Sequence, residues 1–121
     1  MAKKILLIDD EQRILDILNQ FLIKEGFEVM MATDGYKALE MARKNVPDLI
    51  LLDVMMPGMD GGEVMEKILE DEQLRYVPVI FLTGMISQEE SAIYDEMSTG
   101  RRYMSKAGNI KEQIKAIKKV L

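Results

Sequence analysis

Lys4-Ile5-Leu6-Leu7-Ile8-Asp9-Asp10 is a short unbroken apolar run that ends on two acids. The same form returns at Leu49-Ile50-Leu51-Leu52-Asp53, and at Val79-Ile80-Phe81-Leu82-Thr83, where a hydroxyl takes the place of the acid. Runs of this length without polar alternation suit strands buried on both faces, as in a parallel sheet covered by helices. In such a sheet the ligand crevice lies beyond the carboxyl ends of the strands, where strand order reverses. Asp9, Asp10, Asp53 and Thr83 are therefore expected to meet at one edge of the sheet.

Working outward, the intervals read as helices. Ile14, Ile17, Leu18 and Phe21 have the spacing of one helical face, and Gly26 suits a left-handed cap. Leu15 and Leu22 fall beside that stripe, and Leu15 is expected to be exposed near the site, facing a partner helix. Phe27 to Met31 reads as a second strand. Asp34 or Thr33 can cap a helix carrying Ala38, Leu39 and Ala42. The turn-rich Pro57-Gly58-Met59-Asp60-Gly61-Gly62 precedes a helix with Val64, Ile68 and Leu69 inward. Ser87-Gln88-Glu89-Glu90 is a capping box that should open another helix. Arg102-Tyr103-Met104 reads as a fifth strand. Asn109 can cap a last helix with Ile110, Ile114, Ile117 and Val120 or Leu121 inward. Five strands alternating with five helices imply right-handed crossovers and a parallel sheet. No linker or repeat interrupts the pattern, so residues 1–121 are expected to form a single domain with no output domain.

Composition narrows the chemistry. The chain has 121 residues, a net charge of -5, no cysteine and no histidine. That charge argues against a general grip on nucleic acid, which needs an excess of Lys and Arg against phosphate. No run approaches the roughly 20 apolar residues of a membrane span. Lacking both residue types, the chain has no disulfide, no Ser-His or Cys-His pair and no thiolate or imidazole ligand. The absence of cysteine fits a cytoplasmic location. A metal here must be a hard cation held by oxygens.

Asp9, Asp10 and Asp53 at one edge cannot all stay ionised unaided. Two like charges about 4 Å apart repel by about 4 kcal/mol at an effective dielectric of 20. Either a carboxyl pKa rises or a cation binds. Mg²⁺ suits the set, because it takes oxygen ligands and keeps waters that a phosphoryl oxygen can replace. Asp10 on its own would read as a helix cap.

Asp9-Asp10, the stretch Asp53-Val54-Met55-Met56-Pro57-Gly58-Met59-Asp60-Gly61, Thr83-Gly84 and Lys106 together resemble the receiver domain of two-component response regulators. The resemblance runs from Lys3 to Val120. It implies a flavodoxin-like, doubly wound fold: a five-stranded parallel sheet of order 2-1-3-4-5 with helices on both faces. It implies that Asp53 accepts a phosphoryl group from the phosphohistidine of a sensor histidine kinase or a histidine phosphotransfer protein. Asp9, Asp10, Asp53 and the backbone carbonyl of Met55 would hold Mg²⁺, with Mn²⁺ as a substitute. Thr83 and Lys106 would contact phosphoryl oxygens, and Thr83 with the aromatic Tyr103 would form the switch read by a downstream effector protein or output domain. No direct nucleic-acid or membrane contact is implied. The domain would catalyse its own phosphorylation and hydrolysis and act on no external substrate.

The sequence also departs from the family pattern. Proline usually follows the lysine, in a cis peptide; here Ala107 does, with Gly108 next to let the loop adjust. Met55 and Met85, two places after Asp53 and Thr83, would flank the path of hydrolytic water and slow dephosphorylation. Two other classes remain open. A haloacid-dehalogenase-type phosphatase would place a second aspartate two residues after its nucleophile, where Met55 stands. A pseudo-receiver would be an interaction module without phosphorylation.

Overall fold

A computed structural model describes residues 2–84, 94–95 and 101–121, with only the main chain described at 94–95. Among these described residues six strands and four helices run in the order β1 (Lys4–Ile8), α1 (Gln12–Lys24), β2 (Glu28–Ala32), α2 (Gly35–Lys44), β3 (Leu49–Asp53), α3 (Gly61–Glu70), β4 (Val79–Thr83), β5 (Tyr94–Asp95), β6 (Arg102–Ser105) and α4 (Ile110–Val120). The sheet order is β2-β1-β3-β4-β6-β5. Its five longer strands are parallel in the expected 2-1-3-4-5 order. The two-residue β5 pairs antiparallel on the outer edge of β6, an element absent from the sequence reading. The helix expected from Ser87 lies outside the described residues.

The apolar runs divide their side chains between the two faces, as a pleated strand must. Leu6, Ile8, Ile50, Leu52 and Phe81 pack toward α2 and α3. Ile5, Leu7, Leu49, Leu51, Ile80 and Leu82 pack toward α1 and α4. This two-sided burial explains why these strands carry no polar alternation. β1 lies between β2 and β3, so the chain runs outward from β1 to β2 and then crosses back over β1 to β3 on its other side. That reversal opens the crevice beside Asp9.

The expected stripe of α1 is corrected. Leu15, Leu18 and Leu22 are its buried residues, whereas Ile17 is 44% exposed and Ile14 and Phe21 are half-buried. Leu15 is fully buried and is not a surface contact. Both sets satisfy helical spacing and share Leu18, so the pattern left open which way the helix faces. Packing on the sheet turned it by one residue. Leu69 likewise points outward on α3, while Val64 and Ile68 are buried. The second strand starts one residue later than expected, at Glu28.

The caps at Asp34 and Asn109 follow the sequence, whereas that at Asp60 was not read from it. Asp34 accepts from Lys37 N, Asp60 from Glu63 N, and Asn109 from Lys111 N and Glu112 N. Gly26, at φ +90, closes α1, with Phe27 N donating to Leu22 O at 3.1 Å. Among the described residues no helix is long and apolar enough to cross a membrane.

Candidate functional site

Asp9 follows the last residue of β1, and Asp53 is the last residue of β3, paired in register with Leu82. Ile8 and Leu52 are register partners, so the two strands bring their acids to the same level. Asp9 is fully buried and Asp53 is 3% exposed, whereas Asp10 faces solvent. One carboxylate oxygen from each of Asp9, Asp10 and Asp53 lies within 4.8 Å of the others. The sequence expected this convergence.

Backbone N–H groups hold Asp9 and Asp53. Glu11 N donates to Asp9 Oδ1 at 2.9 Å, and Met55 N donates to Asp53 Oδ1 at 3.3 Å. The latter ties the loop that carries the Met55 carbonyl to the Asp53 side chain. Behind it Gly61 N donates to Val54 O at 3.0 Å, drawing α3 against the end of β3. A Cβ at Gly61 would collide with the Asp53 carbonyl oxygen. Glycine is therefore required there for close approach.

Lys106 reaches the acids from the loop after β6. Its Nζ lies 3.0 Å from Asp9 Oδ2, 3.1 Å from Asp53 Oδ1 and 3.2 Å from Glu11 Oε1. An ammonium has three N–H donors, and three carboxylates surround this one. The Lys106–Ala107 peptide is trans. The loop is held by Lys106 N donating to Thr83 O at 2.9 Å. Thr83 ends β4 in register with Ser105, one step beyond the level of Asp53. Glu11 was missed by the sequence reading, although it directly follows the acid pair.

The electrostatics follow from this crowding. The Asp53 carboxyl is pushed up to about 6, mainly by burial, then by a hydrogen bond with Asp10 and the charge of Asp9; Lys106 pulls the other way. Burial works against the Lys106 ammonium, but its contacts with Asp9, Asp53 and Glu11 outweigh this and raise its pKa. Of the two alternatives posed by the acid cluster, the raised carboxyl is the one seen here, and the Lys106 ammonium offsets part of the remaining charge. Among the described residues Asp53 Oδ2 is buried with no hydrogen-bond partner, and Asp9 Oδ2 has its ion pair with Lys106 but no aligned hydrogen bond. Orphaned carboxylate oxygens beside two further acids make a donor set for a hard divalent cation, with no nitrogen or sulfur ligand to favour a softer one.

Tyr103 is half-buried on β6 and stacks on Phe81, with ring centroids 5.4 Å apart and planes at 26°. Together they line a groove of about 600 Å³ with Val54, Met55, Met56 and Pro57. Met55 is 75% exposed at its rim. Met85 lies outside the described residues.

A doubly wound sheet with buried acids at the switch point defines the class: an α/β domain whose ligand crevice lies at that edge. Comparison with known proteins makes this specific. The response regulator receiver domain family matches residues 5–118. The chain belongs to that family. It is 45% identical over 85 residues to the response regulator PleD of Caulobacter vibrioides, a match covering 70% of this chain and 19% of PleD. The solved structure of the chemotaxis response regulator CheY4 of Vibrio cholerae superposes with a TM-score of 0.85 at 30% identity, covering 100% of both chains. The CheY-like receiver domain protein of Methanospirillum hungatei JF-1 gives 0.81 at 31% identity, over 98% of this chain and 93% of that one. The receiver domain of the hybrid histidine kinase CckA gives 0.78 at 30% identity, over 98% of each. Receiver domains typically bind Mg²⁺, and those of response regulators interact with histidine kinases and effectors.

Proposed function

We propose that this chain is a phosphoacceptor receiver domain, a single unit over residues 1–121, in which Asp53 takes a phosphoryl group from the phosphohistidine of a sensor histidine kinase or a histidine phosphotransfer protein. The observation that carries this reading is the meeting of Asp9, Asp10, Asp53 and Lys106 at one sheet edge. Asp9, Asp10, Asp53 and the Met55 carbonyl would hold Mg²⁺, or Mn²⁺ in its place. When bound, the cation neutralises phosphoryl oxygens and keeps Asp53 ionised near neutral pH.

The remaining chemistry belongs to the chain. A carboxylate oxygen of Asp53 attacks phosphorus in line; the O–P bond forms as the N–P bond breaks, and the imidazole nitrogen keeps the electron pair. Such a transfer needs positioning and charge neutralisation more than an acid or base. Lys106, a compact charge on a flexible stem, exchanges carboxylate partners for a phosphoryl oxygen. The Thr83 hydroxyl, one step beyond Asp53 on β4, donates to another. Turning Thr83 inward lets Tyr103 rotate, so a local charge change biases a two-state surface read by an effector protein or output domain. Hydrolysis of the acyl phosphate resets the switch. The absence of cysteine fits a cytoplasmic location, and the net charge of -5 argues against a general grip on nucleic acid.

Mass spectrometry after incubation with acetyl phosphate and Mg²⁺ tests the proposal. Wild type should gain one phosphoryl group, and Asp53→Asn none. No gain in either, with the protein folded, would favour a pseudo-receiver.

A further inference from the structure

The reach of Lys106 is the least constrained part of the site by covalent structure, because Ala107 leaves the following φ free where an imino acid would fix it. We propose that Gln113, on α4, is a positioning residue for Lys106, and that residue 108 is glycine to admit the Gln113 amide. The inference rests on the phosphoacceptor reading above.

Gln113 stands in the inward stripe of α4 beside Ile114 and Ile117, and is 4% exposed. A buried amide without hydrogen bonds is costly, so a glutamine in that stripe calls for a partner. Its Nε2 donates to the backbone carbonyl of Ser105. The N–H of the same peptide unit, that of Lys106, donates to Thr83 O at 2.9 Å. Both polar groups of the Ser105–Lys106 peptide are thus tied, one to β4 and the other to α4. The next peptide is held as well: Ala107 N donates to the buried Ser105 Oγ at 3.1 Å. The Cα of Lys106 therefore lies between two anchored peptide planes, and its side chain leaves in one direction, toward Asp9 and Asp53.

Gly108 belongs to the same arrangement. Its φ is not positive, so no turn conformation demands glycine. A Cβ there would stand 2.5 Å from Gln113 Nε2 and 3.5 Å from Gln113 Cδ. The missing side chain makes room for the amide. Gln113, Gly108, Ser105 and Lys106 also border a cavity of about 80 Å³, so a displaced amide has space to move away from the carbonyl.

The test is a cycle of Gln113→Leu and Gly108→Ala, each made with Lys106 present and with Lys106→Ala. Two quantities are read: the initial rate of phosphorylation by acetyl phosphate, and the NMR signal of the Lys106 ammonium in metal-free protein. With Lys106 present, either substitution should slow transfer about fivefold, the weight of one neutral hydrogen bond. With Lys106→Ala neither should slow it further. The ammonium signal should shift in both variants. An equal loss in both backgrounds, or an unchanged rate with Lys106 present, would make Gln113 a packing residue and overturn the inference. Should Gln113→Leu fail to fold, Gly108→Ala alone decides by the same criteria. If wild type takes no phosphoryl group, the phosphoacceptor reading fails. The metal-free signal then judges the positioning role separately: a shift sustains it, and none overturns it.

Discussion

Lys106 Nζ lies 3.1 Å from Asp53 Oδ1 and bridges it to Asp9, 3.0 Å away, so one ammonium joins the ends of β1 and β3. The bridge neutralises only part of the charge that Asp9, Asp10, Glu11 and Asp53 bring together. It also fills the space beside the carboxylate that is proposed to react. Lys106 is therefore both a stabiliser of the metal-free site and a competitor of any dication that enters it.

Removing that competitor should tighten metal binding. Lys106→Met is expected to raise Mg²⁺ affinity about tenfold, equivalent to about 1.4 kcal/mol. Calorimetric titration at pH 8, where protons do not compete, would read it; weaker binding would contradict the competition.

Asp53 should impose a pH dependence on the metal-free protein. Its carboxyl titrates near 6 when folded, against 3.8 for an ordinary aspartate. Between those values the folded state holds the proton that the unfolded state has lost. Stability from this group is therefore full below about 3.8 and declines as pH rises toward 6. The raised Lys106 pKa adds stability that is constant across this window and is lost only at high pH. Urea unfolding should show wild type losing stability from pH 4 to 6 relative to Asp53→Asn. Parallel profiles would count against the assignment.

Gly61→Ala should destabilise the fold by about 1–3 kcal/mol, the range of forced overpacking. The new methyl group meets the Asp53 carbonyl and the Val54 backbone, neither of which can swing aside. Thermal unfolding measures the loss, and a neutral effect would mean that α3 can slide away from β3.

On α1, Leu15→Ala should cost about 2–5 kcal/mol, as for other buried leucines. Ile17→Ala should stay within about 0.5 kcal/mol, because Ile17 is 44% exposed. Denaturant midpoints would separate the two; reversed costs would return α1 to the stripe first expected from its sequence.

Tyr103→Ala should leave phosphorylation of Asp53 intact while severing its signal. In amide NMR spectra, the shifts caused by phosphorylation should reach Thr83 but no longer spread along β6. Undiminished shifts through β6 would show that the Tyr103–Phe81 stack transmits nothing.

Much of this was legible in the chain because parallel strands buried on both faces leave an unmistakable trace. Ile5 to Ile8, Leu49 to Leu52 and Val79 to Leu82 have strand length without alternation, and Asp9, Asp10, Asp53 and Thr83 mark where they stop. The phase of α1 was not legible, because Ile14 and Ile17 compete with Leu15 and Leu22 for the same core. The clamp on Lys106 left one faint signal, the glutamine at a core position of α4. Its partner is a main-chain carbonyl, and backbone positions carry no residue-specific mark.

The sequence by itself determined which apolar runs form the strands of the parallel sheet, a helix cap at Asp34 or Thr33 and another at Asn109, and the residues at which those runs give way to acids. These depend on neighbours in the chain, on periodicity and on local hydrogen bonding. Only the tertiary structure decided that Leu15 rather than Ile17 is buried, that Glu11 joins the ring around Lys106, and that Gln113 holds the Ser105 carbonyl. Each of these depends on groups far apart in the chain meeting at fixed distance, and no local pattern encodes that distance.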